Sequence, residues 1–265
     1  MIPSETANET ANWRELLQEP SSGNHFVQVY KDEAFLLEAV TEYAGTGLRR
    51  GEAVVIIATP SHRAAFMQQL EGDGIAAEEA RQRGQLVLLD ADETLARFTP
   101  GGMPEWQSFH ALLGGVIAKL RLEHPSVRAY GEMVDLLWQR GEREAAIRLE
   151  EFWNDLAGLQ TFSLLCAYYM NNLDPAAYSG PLDCICRVHS HLIAARDYKR
   201  FNEAVVEASE AILDQTLAQM LLSLSERHRP STEMPQGQAT LLWLQHNMPR
   251  TAAKVLAQVR SRYSD

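Results

Sequence analysis

The sequence predicts an α/β protein with a mostly parallel sheet covered on both faces, followed by an α-helical extension. Three observations carry this. The apolar runs Ala53–Ala58 and Gln85–Asp90 have strand length without strand alternation, as strands buried on both faces do. Amphipathic helical patterns separate the strand candidates, which calls for a sheet with helices on both sides. After about Ala195 no strand signal remains.

In chain order, the first strand candidate is His25–Tyr30, which alternates in character and follows the turn-rich Ser21–Asn24. Asp32 is placed to cap a helix in which Phe35, Leu36, Ala39, Val40 and Tyr43 recur at helical spacing. Gly45, Gly47 and Gly51 read as its end and a turn before the Ala53–Ala58 strand. Ser61–Glu71 reads as a helix, Gln85–Asp90 as a strand, and Glu105–Glu123 as a long helix with Phe109, Leu112, Leu113, Val116, Ile117 and Leu120 on one side. Val127–Tyr130 is a short strand, Gly141–Gly158 a helix and Phe162–Tyr168 a central strand. Arg196–Arg229 reads as one long helix with Leu213, Leu217, Met220 and Leu224 at coiled-coil-like spacing. A turn-rich linker, Arg229–Gly237, leads to a last helical segment, Gln238–Tyr263, interrupted near Pro249. The predicted organisation is a flexible segment over 1–23, an α/β domain over 24–195 and a helical hairpin over 196–265. The hairpin is free to pack on the chain's own core or on a second subunit.

Composition narrows the function. With 46% hydrophobic and 22% charged residues the chain is ordinary globular protein. A formal net charge of -11 disfavours non-specific nucleic-acid binding, which needs clustered Lys and Arg. No apolar run reaches the roughly 18 residues of a membrane-spanning helix. The start of the chain has neither the basic residues nor the apolar centre of a secretory signal. Three cysteines are too few for a disulfide framework at this length, so a reducing, cytoplasmic setting is expected.

The stretch Gly45–Arg63 resembles the entry to RecA- and KaiC-type ATPase cores, where a glycine turn and a strand lead into the phosphate-binding loop. Here the strand is followed by Thr59-Pro-Ser-His-Arg63, with no Gly-Lys-Ser/Thr, and ATP hydrolysis by the usual route is not expected. Further motifs complete the pattern: His25–Tyr30, Tyr130-Gly-Glu-Met-Val-Asp-Leu-Leu-Trp138 with Gly141, Leu149-Glu-Glu-Phe-Trp-Asn154, Leu164-Leu-Cys-Ala-Tyr168 and Cys186-x-x-His189. In these the chain resembles the MEDS family, sensory domains of methanogen and methylotroph regulators. The resemblance implies a RecA-like three-layer core, a sensing role without established catalysis, and a neighbouring DNA-binding or kinase module. No helix-turn-helix or kinase domain is legible here, so output is expected through the C-terminal helices or a protein partner such as a kinase or transcription regulator.

Ligands of open α/β sheets bind at the carboxyl ends of the strands. His25, Thr59, His62, Arg63, Asp90 and Glu132 are the expected lining, with an unidentified, anionic or hydrocarbon-derived small molecule as ligand. Each has a plainer reading: Glu132 as a cap or an arginine partner, Arg63 as a solvated helix residue, His25 as a strand-edge residue. No catalytic residue and no cofactor is assigned. Cys184, Cys186, His189 and His191 form the most metal-like pattern, with Cys166 placed to approach. All four fall within eight residues, however, whereas structural zinc usually draws ligand pairs from separated segments, so no metal is expected. The leading function is a sensory, non-catalytic protein that binds a small molecule and signals through its C-terminal helices, which also offer a surface for a homodimer. The alternatives are a partner-binding hub and an enzyme or nucleotide binder remodelled around Glu132.

Overall fold

The apolar runs pair into one sheet. The computed structural model describes residues 12–227 and 231–263; the acidic start of the chain through residue 11 and residues 228–230 of the linker lie outside them. The strands are β1 His25–Tyr30, β2 Ala53–Ala58, β3 Leu86–Asp90, β4 Val127–Gly131, β5 Ser163–Tyr169 and β6 His191–Ile193. They lie in the order β3-β2-β4-β5-β1-β6, every pair parallel. β1 is buried on both faces despite its alternating sequence, because Val27 and Val29 pack into one helical layer and Phe26 and Tyr30 into the other. Its polar Gln28 is accommodated by donating to the Phe35 carbonyl.

Helices α1 Trp13–Gln18, α2 Glu33–Arg49, α3 Pro60–Gly72 and α4 Ala77–Gln82 cover one face, packing Trp13, Phe35, Tyr43, Phe66 and Leu70 on Phe26, Ile56 and Leu165. The other face carries α5 Ala91–Ala96, α6 Trp106–Phe109, a π-helical turn His110–Gly114, α7 Gly115–Glu123, α8 Met133–Gln139, α9 Arg143–Leu159, α10 Pro175–Tyr178 and α11 Pro181–Cys186. The result is the predicted three-layer α/β core. The long helix predicted over Glu105–Glu123 is present with that π turn at its centre, and α8 and β6 are elements the sequence reading missed.

Beyond the sheet come α12 Tyr198–Leu213, α13 Gln215–Arg227, α14 Gln236–Asn247 and α15 Pro249–Arg262. The single helix predicted over Arg196–Arg229 is broken at Asp214, which takes a positive φ of 72° and caps α13 by accepting from Leu217 N. Among the described residues the extension therefore holds four helices, with the predicted interruption at Pro249. They pack on the chain's own core: one apolar cluster runs from Tyr178, Leu182 and Ile185 into Phe201, Val205, Leu241 and Val255. The linker contributes too, since Glu233 bridges to His191 beside β6.

Two further expectations change. Residues 12–23 are not a free segment: α1 buries Trp13 and Leu17, and Arg128 on β4 donates to the carbonyls of Leu17 and Gln18. Gly45 and Gly47 do not end α2 but lie inside it. Only Gly51 turns the chain, at φ 76°. Glycine is needed at position 47 because a Cβ there would stand 2.8 Å from Arg128 Cδ, which is locked in place.

Candidate functional site

In a doubly wound sheet the crevice opens where neighbouring strands send their connections to opposite faces. β2 and β4 are such neighbours: β2 leads into α3 on one face and β4 into α8 on the other. β2 enters α3 through Thr59 alone, and β1 enters α2 through Lys31 and Asp32. Neither connection is long enough to wrap a triphosphate.

Thr59 caps α3, accepting from His62 N, while Pro60 supplies the first helical residue. Glu132 leaves the end of β4 and sends its carboxylate to the same point, accepting from Thr59 N (2.9 Å), His62 Nδ1 (2.6 Å) and the Tyr130 hydroxyl (3.0 Å). The protein thus places a carboxylate of its own where a helix N-terminus would attract an anion. On its other side, His62 Nε2 meets Glu33 Oε2 at 2.9 Å. The hydrogen bond to Glu132 outweighs partial burial and raises the His62 pKa to about 9, so the imidazole is charged at neutral pH.

Asp135, one turn into α8, accepts from Gln139 and from Tyr169 N. Burial, reinforced by Glu132, raises its pKa to about 6. Tyr30 faces the same acids: burial, then Asp135, Glu33 and Glu132, push its hydroxyl well above the ordinary range. Arg63 and Asp90 form an ion pair of 2.7 Å beside this group, with Asp90 also capping α5. Three surface cavities, of about 670, 560 and 730 Å3, are lined by none of these residues.

Of the six expected lining residues, Thr59, His62 and Glu132 meet directly, and Arg63 pairs with Asp90. His25 does not join them. It is the first residue of β1, at the opposite end of the strand from the carboxyl-end rim. Glu33, Tyr130 and Asp135 were missed, although each follows or ends a strand and that position was a usable signal.

A second constellation lies inside the protein. His25, Glu150, Cys166 and His189 are all buried, and their ligating atoms all lie within 4.8 Å of one another. Cys166 projects from the centre of β5, Glu150 from the sheet-facing side of α9, and His189 from the turn after α11. Burial alone would raise the Glu150 carboxyl, but the facing imidazoles of His189 and His25 outweigh it and keep the group ionised. Burial lowers the His25 imidazole and raises the Cys166 thiol, the latter with Glu150 adding to the effect.

The cysteine–histidine stretch does not come together as a ligand set in itself. α11 ends at Cys186, so the segment does not hold one helical face. Cys184 is exposed, Cys186 is core with its thiol pushed up to about 12 by burial, and His191 pairs with Glu233. Only His189 enters the cluster. Glu150 was missed, although an acid between Leu149, Phe152 and Trp153 on the apolar side of an amphipathic helix is a visible anomaly.

No helix among the described residues is long and apolar enough to cross a membrane. Comparison with curated proteins gives no match. A family model does match: the MEDS domain, described as the methanogen/methylotroph, DcmR sensory domain, over residues 24–190. That span covers the sheet from β1 to the turn before β6, together with both constellations, and the chain belongs to the MEDS family of sensory domains.

Proposed function

We propose that this sensory domain binds a small polar molecule at the carboxyl-end rim of the sheet and relays the event to α12–α15 without catalysing a reaction. The observation that supports it is the bridging of His62 between Glu33 and Glu132 at the crevice between β2 and β4. A charged imidazole held by two carboxylates from separate elements is a latch that a competing hydrogen-bonding group can open. Glu132 already fills the anion position, and Glu33, Asp135 and Asp90 surround it. The chemistry therefore favours a neutral or cationic ligand over the anion expected from sequence. Displacing His62 would free α3 to move against β4.

The test is thermal-shift measurement on the full chain with neutral polar compounds, small amines, carboxylates and inorganic phosphate. The expected result is stabilisation by a neutral or cationic compound in the wild type and none in Glu132→Gln. Stabilisation by no class, or equal stabilisation in both proteins, would sink the reading.

A second reading, a partner-binding role, is favoured by one feature of the extension. Leu217 and Met220 are 51% and 61% exposed, on the outward side of α13, while Ala218, Leu221 and Ser225 face inward. Leu213 and Leu224, half-buried, extend this stripe. It offers the surface for contact with a kinase, a transcription regulator or a second copy.

A further inference from the structure

We propose that His25, Glu150, Cys166 and His189 form a buried four-coordinate site for a divalent transition metal, with zinc as the best fit. The four donors come from β1, α9, β5 and the turn after α11, and the two histidines and the glutamate are held by contacts outside the cluster.

The histidines carry the argument. His25 Nδ1 donates to Asn154 Oδ1 at 2.9 Å, and the Asn154 amide is itself oriented by donating to the Val188 carbonyl. His189 Nδ1 donates to the Ile185 carbonyl at 2.7 Å. Both rings therefore keep a proton on Nδ1 and present Nε2 to the centre, where binding of an ion displaces any proton it carries. Metal-bound histidines are oriented in this way, by a hydrogen bond from the second ring nitrogen to a carbonyl or amide oxygen. His189 Nε2 is fully buried and, among the described residues, has no hydrogen-bond partner, although Glu150 Oε1 lies 3.2 Å away.

The spacing fits as well. His25 Nε2 stands 3.4 Å from Cys166 Sγ and 3.2 Å from Glu150 Oε2, and Cys166 Sγ stands 3.3 Å from the same carboxylate oxygen. Donors bound tetrahedrally at about 2.0–2.3 Å stand roughly 3.3–3.8 Å apart, so these three already have the spacing, and with no pair in the set beyond 4.8 Å the His189 side closes by about 1 Å at most to admit the ion. The Tyr168 hydroxyl, 2.8 Å from Glu150 Oε1, supports the carboxylate.

Charge and softness select the ion. Two neutral imidazoles, one thiolate and one carboxylate balance a divalent cation, leaving no net charge in an apolar core. The thiol proton leaves to solvent as the sulfur binds. A thiolate with two imidazoles discriminates against magnesium and calcium, which take oxygen ligands. Four protein donors with no exposed position describe a structural or regulatory centre rather than a catalytic one. The site also touches the extension, since the Thr232 hydroxyl donates to the carbonyls of Cys186 and His189 in the turn that presents the histidine.

This site is independent of the rim, and the experiment keeps them apart. Full-length protein is stripped with a chelator and titrated with zinc, then with cobalt, whose visible spectrum reports ligand type. The expected result is uptake of one ion per chain, a rise in unfolding temperature, and a thiolate-to-cobalt charge-transfer band that is absent in Cys166→Ser. Asn154→Ala, which touches no metal, should bind zinc about 10- to 100-fold more weakly. The rim variant Glu132→Gln should bind it as the wild type does. If the stripped wild type takes up neither ion, or cobalt binds without the charge-transfer band, the proposal is wrong and the cluster is a proton-bridged polar network. Should Cys166→Ser fail to fold, the wild-type cobalt spectrum and Asn154→Ala decide alone.

Discussion

Arg128→Leu is expected to destabilise the chain by about 3–5 kcal/mol, because it leaves a buried ion pair half broken. The guanidinium is 1% exposed. It pairs with Glu52, donates to the carbonyls of Leu17, Gln18 and Tyr43, and lies 5.2 Å from the Tyr43 ring centroid. Leucine fills part of the volume but leaves three carbonyls and a carboxylate without their donor. In thermal unfolding the loss corresponds to a fall on the order of 10 °C, and amide exchange in α1 should accelerate more than in β5. Adding Glu52→Leu should restore part of the loss, since two apolar residues remove the orphaned charge. A single variant within about 1 kcal/mol of wild type would show that α1 is not held by this residue.

Glu132→Gln is expected to cost about 1–2 kcal/mol at pH 6–7, part of the full electrostatic value being lost to solvent screening around the half-exposed His62. The loss should shrink as pH rises. The folded-state pKa of His62, about 9, lies above the ordinary 6.5, so its contribution is complete below pH 6.5 and disappears through pH 9. The variant keeps only the smaller part of that contribution, the part supplied by Glu33. Urea unfolding of both proteins from pH 6 to 10 gives the difference directly. The comparison between proteins is necessary because the buried Cys166 and Tyr168, with raised values and no contact with Glu132, weaken both alike in alkali. Asp135, raised to about 6, has the opposite sign to an ion-paired acid: its ionisation opposes folding, so its effect falls between pH 4 and 6, below the window used. A gap that stays constant from pH 6 to 10 would mean that His62 is not the titrating partner.

Much of the core was legible because local pattern and burial agree there. Ala53–Ala58 and Gln85–Asp90 have no polar face to expose, so only a covered parallel sheet suits them. Asp32 caps α2 as its position suggested, accepting from Ala34 N. The rim was legible in part: Thr59, His62 and Glu132 lie at strand ends, and strand ends gather at one edge of a parallel sheet.

Two of the failures share a cause. Whether Arg196–Arg229 is one helix depends on Asp214, whose left-handed backbone no propensity foretells. Gly45 and Gly47 read as turn residues, yet their place is set by the approach of Ile75 and Arg128 from distant segments. His25 is a different failure: it opens the strand His25–Tyr30, so its place at the amino end, away from the rim, was legible in the sequence.

The sequence by itself determined the layers, the family, the missing phosphate loop and the strand-end position of the rim, since these follow from periodicity and from motifs within single segments. Only the tertiary structure decided which residues meet. The strand order carries β1 next to β5 and lays α9 over both, bringing His25, Glu150 and Cys166 together from positions up to 141 residues apart. The turn after α11 then adds His189, which sequence proximity had grouped with Cys184, Cys186 and His191. Spacing along a chain reports neighbours on one element. A site built from four elements exists only after the sheet has set their order.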